Sequence, residues 1–350
     1  MKKLFAILLC ACMLVAVVAC DTPAKEAEYK LGMGVVVSMD SSATGNAQVD
    51  ATVATVVTDA NGKIVLCRVD VAQNKMAVAN GAVNTAATFE TKMELGDRYG
   101  MAPAGIDNDK NGVTLEWYEQ AKAFESWVVG KTADEVKNMQ TQEAGGHTIA
   151  VDQALLDAGC SMQITDFRDA VVKACNDEQS MTFKTAATFT LGVAAMTTAA
   201  ESAAATAEAN GTVKMYTDFA ASVVVDGKIV AALNDAIQPD ITINAAGEIV
   251  EKSYKATKRE LKEEYGMTPA VNYGMDWNGD GKTLEWYLQS AEFSKYVVGK
   301  TAADVEAMAT KVVEGHGYVI SAEDALLTAG CTIQITAIKA VVAQSVKNAR

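Results

Sequence analysis

The chain is 350 residues long, with 44 acidic against 30 basic side chains and a net charge of −14. A field of that sign repels nucleic acid and anionic lipid headgroups, so no nucleic-acid partner is expected. The length suffices for two cores of ordinary size, and the few aromatics (6 %) beside abundant Ala, Val and Thr point to small, regularly packed units.

The chain opens with Met1-Lys2-Lys3 and then runs apolar from Leu4 to Ala19 without a charge. A positive start and a short apolar stretch are the layout of a secretory signal, too short and wrongly flanked for a spanning helix. The signal closes in Val17-Val18-Ala19-Cys20, which resembles the lipobox of bacterial lipoproteins. That resemblance implies removal of residues 1–19 and transfer of a diacylglycerol to Cys20. Acyl chains would then hold the protein to a membrane, on the extracytoplasmic face of the cell envelope. Residues 20–27, polar and containing Pro23, read as the lipidated tether. Loss of Lys2 and Lys3 leaves 28 basic and 44 acidic residues, a net charge of −16.

Beyond the tether the chain repeats itself. Leu115-Glu-Trp-Tyr118 returns as Leu284-Glu-Trp-Tyr287, and Trp127-Val-Val-Gly-Lys-Thr132 as Tyr296-Val-Val-Gly-Lys-Thr301. Ala154-Leu-Leu-Asp-Ala-Gly-Cys-Ser161 returns as Ala325-Leu-Leu-Thr-Ala-Gly-Cys-Thr332, and Tyr99-Gly-Met101 as Tyr265-Gly-Met267. A period this long predicts two tandem copies of one domain, 28–177 and 183–350, separated by the polar segment Asn176–Ser180. In each copy a β-rich stretch comes first, Val49–Val57 and Ala221–Val225. Asn61-Gly62 and Asp226-Gly227 supply the positive φ angles of a tight hairpin, and Lys63–Val69 and Lys228–Leu233 return. Ile241–Ile243 and Glu248–Val250 extend the second meander. Glu116–Val129 then reads as a helix with Trp117, Ala121, Phe124 and Val128 on one face, stopped by Gly130 as its counterpart is by Gly299. Thr132 and Thr301, each with an acidic residue three places on, start another helix. Closing helices are expected over Asp166–Ala174 and Ala337–Asn348. The fold class is α+β, each copy an antiparallel β-meander followed by packed helices.

The segments Ala158-Gly-Cys-Ser161 and Ala329-Gly-Cys-Thr332 bring the chain to resemble the FMN-binding domain of bacterial extracellular and respiratory flavoproteins. In that family a Ser-Gly-Ala-Thr-like motif accepts FMN through a phosphoester on its final hydroxyl. The resemblance implies Gly330 and Thr332, with Gly159 and Ser161 as equivalents, at the phosphate end of a flavin, and a role in passing electrons to a redox partner outside the cell. This sequence departs from the motif: Ala158 and Ala329 replace the first Ser, and Cys160 and Cys331 replace the Ala. Leu155 and Leu326 stand where the family has an acidic residue.

The two histidines, His147 and His316, occupy matching places and are candidate neighbours of the cofactor. Asp107, Asp109 and Asn111, followed by Gly112, and Asp276, Asn278 and Asp280, followed by Gly281, resemble the first half of a calcium loop. Its closing Glu is absent, with Tyr118 and Tyr287 in that place. Trp117 and Trp286 read as core, Trp277 as exposed. Of the cysteines outside the leader and anchor, Cys160 and Cys331 are equivalent, while Cys67 and Cys175 fall in the first copy and can pair in an oxidising compartment. No phosphate-binding glycine loop, Gly-x-Ser-x-Gly elbow, His-Glu-x-x-His or Cys-x-x-Cys occurs. Two readings follow: an FMN-binding redox carrier, or a non-enzymatic envelope module that binds a small ligand or a protein partner and is stabilised by calcium.

Overall fold

The computed structural model describes residues 25–268, 283–315 and 317–350. The leader with Cys20, the second acidic loop with Asp276, Trp277, Asn278 and Asp280, and His316 lie outside the described residues. The described chain is mixed α+β with antiparallel sheets. Among the described residues no helix is long and apolar enough to cross a membrane.

The first half begins with strands β1 (Ala27–Ser38), β2 (Asn46–Asp59) and β3 (Ile64–Ala77). There follow α1 (Lys92–Leu95), α2 (Trp117–Val128), α3 (Ala133–Lys137), the hairpin β4 (Thr141–Ala144) and β5 (His147–Ala150), α4 (Gln153–Asp157) and α5 (Thr165–Cys175). The second half adds strands β6 (Met181–Thr185), β7 (Thr190–Thr198), β8 (Gly211–Lys214), β9 (Tyr216–Val225), β10 (Lys228–Ile237), β11 (Asp240–Ile243) and β12 (Ile249–Ser253). Its remaining elements are α6 (Lys258–Leu261), α7 (Trp286–Tyr296), α8 (Ala302–Glu306), the hairpin β13 (Thr310–Val312) and β14 (Val319–Ser321), α9 (Asp324–Thr328) and α10 (Thr336–Lys347).

Three larger sheets run in the orders β3-β2-β1-β6, β10-β9-β7 and β12-β11-β8. The first two face each other across a central core, to which Leu31 and Val53 contribute from one sheet and Leu191 and Phe219 from the other. Helices cover the outer faces. Trp117, Phe124 and Phe167 pack on the first sheet beside Val69, and Trp286, Phe293 and Ile338 pack on the second beside Ala232. Both faces of β2 are covered, so it is buried along nearly its whole length, Thr52 and Thr55 together with the valines. One core is thus built jointly by both halves. Strand β6, past the polar segment at 176–180, pairs with β1 and sets Phe183 opposite Tyr29.

The helix α5 backbone lies directly against β1. A Cβ at Gly32 would stand 2.0 Å from the Ala174 carbonyl oxygen, and one at Gly192 of β7 would stand 1.9 Å from that of Ser345 in α10. Capping behaves as its residues dictate. Thr132 and Thr301 accept from the N–H three places on, and Glu135 and Asp304 accept in return from the cap N–H. The turns differ from expectation in one half. Asp226 and Gly227 both take positive φ, 49° and 75°, as a two-residue hairpin demands. Of Asn61 and Gly62 only the glycine does, because the Asp59 carboxylate accepts from the N–H groups of Asn61 and Lys63 and holds a wider turn.

Candidate functional site

In both halves the site region is assembled by the same chain of contacts, starting at a buried carboxylate. Asp70 on β3 accepts from the N–H of Met93 at 3.1 Å and so pins α1 to the sheet. Asp235 on β10 accepts from the N–H of Arg259 at 3.0 Å and pins α6. Burial pushes both carboxyls up to about 6. Each short helix begins with a threonine capping box, at Thr91 and at Thr257. The docked helices present Lys92 and Lys258. The Lys92 ammonium sits 4.9 Å from the Tyr99 ring centre and 5.6 Å from that of Trp117, and Lys258 lies 5.1 and 5.3 Å from Tyr265 and Trp286. Glu116 and Glu285, each just ahead of a long helix, accept from the backbone N–H groups of Met101 and Met267.

The glycine–cysteine segments take their form from packing. Gly159 (φ 81°) and Gly330 (φ 87°) end α4 and α9 in the left-handed region. The N–H of Gly159 donates to Leu156 and that of Cys160 to Leu155, with the same pair repeated at Gly330 and Cys331; this is the Schellman arrangement. A Cβ at Gly159 would stand 2.4 Å from Leu115 Cδ1, and one at Gly330 would stand 2.9 Å from Leu284 Cδ1. Cys160 and Cys331 are buried, and burial pushes both thiols up to about 12, so they act as apolar packing. Cys67 and Cys175 are free thiols, so no disulfide joins them.

Ser161 and Thr332 follow, 2 % and 5 % exposed. The Ser161 N–H donates to Gln120 Oε1 at 3.0 Å, and that of Thr332 to Gln289 Oε1 at 2.7 Å. Asn108 clasps Ser161 further, its Nδ2 donating to the serine carbonyl at 2.7 Å. The hydroxyls are engaged as well, Ser161 Oγ accepting from the Asn108 N–H at 3.4 Å and Thr332 Oγ1 donating to Gln289 Oε1 at 3.4 Å, so a phosphoester on either would disturb a buried contact. The acidic loop spends oxygens on its own backbone. Asp107 accepts from the N–H groups of Gly112 (2.8 Å) and Asn111 (3.2 Å), and Asn111 Oδ1 accepts from Val113 N–H at 2.7 Å. Among the described residues no cluster of three or more His, Cys, Asp or Glu side chains is placed to hold a metal ion.

Beside these segments the first half holds a cleft of 690 Å³. Tyr99, Met101, Met162 and Phe167 give it apolar surface, and Lys92, Asp50, Asp166 and Gln163 give it polar groups. The exposed His147, at the start of β5, and Asn108, from the acidic loop, reach the same cleft. Of the residues singled out from sequence, His147 therefore lines the cleft. Ser161 stands next to it, since its successors Met162 and Gln163 are on the wall. Gly159, Asp107, Asp109 and Asn111 are not on its surface. Burial, with Asp169 and Asp50 as neighbours, pushes the Asp166 carboxyl above the usual range, against the pull of Lys92. Sequence reasoning missed Lys92, Asp50 and Asp166. The signal for Lys92 was present: Thr91-Lys-Met-Glu-Leu95 recurs as Thr257-Lys-Arg-Glu-Leu261.

Two smaller cavities, 320 and 180 Å³, lie where the halves meet, and groups already paired with one another line them. In the first, Arg259 Nη2 donates to both Asp177 oxygens at 3.1 and 3.2 Å, and the pair is nearly buried. In the second, Arg68 and Arg350 share the buried Glu125. No family model, no curated protein and no solved structure matches the chain.

Proposed function

We propose that the chain is a lipid-anchored extracytoplasmic lipoprotein made of two tandem copies of one domain, in which the first copy binds FMN and serves as a redox carrier in extracellular electron transfer. The cleft carries this reading. Its 690 Å³ falls in the range of small-molecule and cofactor sites, and aromatic and apolar side chains such as Tyr99, Trp117, Met162 and Phe167 share its lining with polar ones such as Gln73, Lys75, Lys92 and His147. The leader, the lipobox-like end at Cys20 and the glycine–cysteine–hydroxyl segments supply the rest of the support. The burial of Ser161 and Thr332 favours flavin held without a covalent bond. Copy two, with Gly330, Thr332 and His316, is the weaker candidate, since Tyr265 donates from its hydroxyl to Gln238 at 3.2 Å across the matching ground. The test is to produce residues 21–350, add FMN, and record the visible spectrum and intact mass. Yellow protein of unmodified mass is expected; protein that stays colourless with excess FMN retires the flavin.

The second reading, a non-enzymatic module stabilised by calcium, draws on one observation. Asp109 Oδ1, in the first acidic loop, is shielded from water without a hydrogen-bond partner. Calcium at Asp107, Asp109 and Asn111, and at Asp276, Asn278 and Asp280 in the second loop, would raise the melting temperature, and a chelator would reverse the rise. An unchanged melting temperature at millimolar calcium retires the ion.

A further inference from the structure

Given the lipid anchor at Cys20, on which the rest depends, the tether decides which end of the molecule meets the membrane. From Cys20 to the start of β1 at Ala27 the chain can span about 25 Å at most. The start of β1 lies at one end of the paired sheets: Tyr29 stands opposite Asp59, so the turn from β2 to β3 is beside it. The turn from β9 to β10 is at the same end, because Phe189, just ahead of β7, sets its ring 5.0 Å from that of Tyr29, and Thr190 stands opposite Val224. The cleft is at the other end, where Ser38, Asp50 and Gln73 of its lining stand side by side as β1 closes.

A duplicated motif that the cleft leaves unused sits at the tether end in both halves. The Gly130 N–H donates to the Ile64 carbonyl oxygen at 2.7 Å, and the Ile64 N–H donates to that of Lys131 at 2.9 Å. Gly299, Ile229 and Lys300 repeat both bonds at 2.7 and 2.9 Å. Trp127-Val-Val-Gly-Lys131 and Tyr296-Val-Val-Gly-Lys300 are thus fastened just past the two turns. In each, the first valine is buried and the second, Val129 or Val298, is 47 % or 41 % exposed. The aromatic ring is half-buried, with the ammonium of Lys131 or Lys300 4.2 or 4.4 Å from its centre. A half-open ring, an outward aliphatic side chain and a lysine that can lift its charge form the set that membrane–water interfaces favour. Charge around them nearly balances. Lys63 and Lys131 stand among Asp59, Asp134 and Glu135, Lys228 and Lys300 among Asp226 and Asp304, and Lys184 pairs with Glu28. The chain without its leader carries −16, so this end meets far less repulsion at a lipid surface than the rest.

We propose that this end rests on the zwitterionic lipid surface of the membrane that holds Cys20, through Trp127 and Val129 on one side and Tyr296 and Val298 on the other, so that the cleft opens away from the lipid. Each contact is small, and the anchor supplies the hold by keeping both at high effective concentration beside the surface.

The test uses the full lipidated chain in phosphatidylcholine vesicles whose acyl chains carry bromine near the headgroup end, which quenches an indole on contact. Intact mass and flotation with the vesicles first establish the anchor. Tryptophan fluorescence should be weaker in brominated than in ordinary vesicles, a comparison that needs no variant. Trp127→Phe should remove most of that quench, since Trp117 and Trp286 are buried. Val298→Trp in the Trp127→Phe background places an indole at an exposed position of the second half and should restore it. Floating protein with equal fluorescence in the two kinds of vesicle, or with a quench that survives Trp127→Phe, overturns the resting face and leaves the anchor standing. No restoration at position 298 overturns the two-sided contact. Protein without the acyl mass that stays in the soluble fraction retires the anchor, and the resting face with it.

Discussion

Gly130 and Gly159 offer a controlled comparison, because their φ angles, 82° and 81°, are nearly the same and their surroundings are not. At Gly130 a Cβ would meet nothing within 4 Å; at Gly159 it would stand 2.4 Å from Leu115 Cδ1 and 3.1 Å from Cγ. An L-residue in the left-handed region costs about 1–2 kcal/mol, partly offset by about 0.4–1 kcal/mol from the stiffer unfolded chain. Gly130→Ala should therefore cost about 1 kcal/mol. Gly159→Ala carries the same backbone cost plus overpacking of about 1–3 kcal/mol, for a total of about 2–4 kcal/mol. Gly330→Ala, facing Leu284 at 2.9 Å, should fall between them. Urea unfolding followed by circular dichroism measures all three, and Leu115→Ala combined with Gly159→Ala should show favourable coupling of about 1 kcal/mol. Equal costs at Gly130 and Gly159 would refute the account of this segment as a packing motif and return Gly159 to a role in ligand approach.

Three further outcomes follow from the same contacts. Arg259→Met strips the buried Asp177 of its cation, and because Asp177 retains the N–H groups of Met33 and Gln179, the cost should sit near the lower end of about 3–5 kcal/mol by urea unfolding; a loss under about 1 kcal/mol contradicts the pairing. The carboxyls of Asp70 and Asp235, at about 6 in the folded chain against about 3.9 unfolded, bind protons more tightly when folded, so their contribution is present at low pH and is lost as pH rises through 6. Unfolding free energy should then be larger at pH 5 than at pH 7.5, by about 1.4 kcal/mol per group, and Asp70→Asn and Asp235→Asn should each flatten the slope. Cys160 and Cys331 should resist iodoacetamide at pH 8 until urea unfolds the chain; their prompt labelling in the folded protein, read by peptide mass, would contradict their burial.

Much of the secondary structure was legible because it rests on local rules. The α2 stripe of Trp117, Ala121, Phe124 and Val128 is buried as its spacing requires, and the Thr132 and Thr301 caps form. The first hairpin misled because an aspartate two places earlier competed for the turn's N–H groups. Strand β1 escaped notice since Gly32 and Gly34, placed there for the close approach of α5, dilute its apolar pattern. The cleft was legible only at His147 and at the neighbours of Ser161. Asp50, Lys92 and Asp166 come from three elements that only the docking of α1 and α5 on the sheet brings together, and no spacing along the chain encodes that meeting. The hydroxyl motif was found, but its surroundings on Gln120 and Gln289 depend on a helix about 40 residues away.

The central core has a consequence for any attempt to divide the chain. Cut after residue 180, the first half would lose β6 and turn Leu31, Val49, Val53 and Ala72 toward water along one face of its sheet. A sheet face of that kind invites self-association, and the simplest closed solution is a two-fold dimer in which each copy covers the other. The mass of a separated first half should therefore grow with concentration in sedimentation, whereas in the whole chain the second sheet already covers that face.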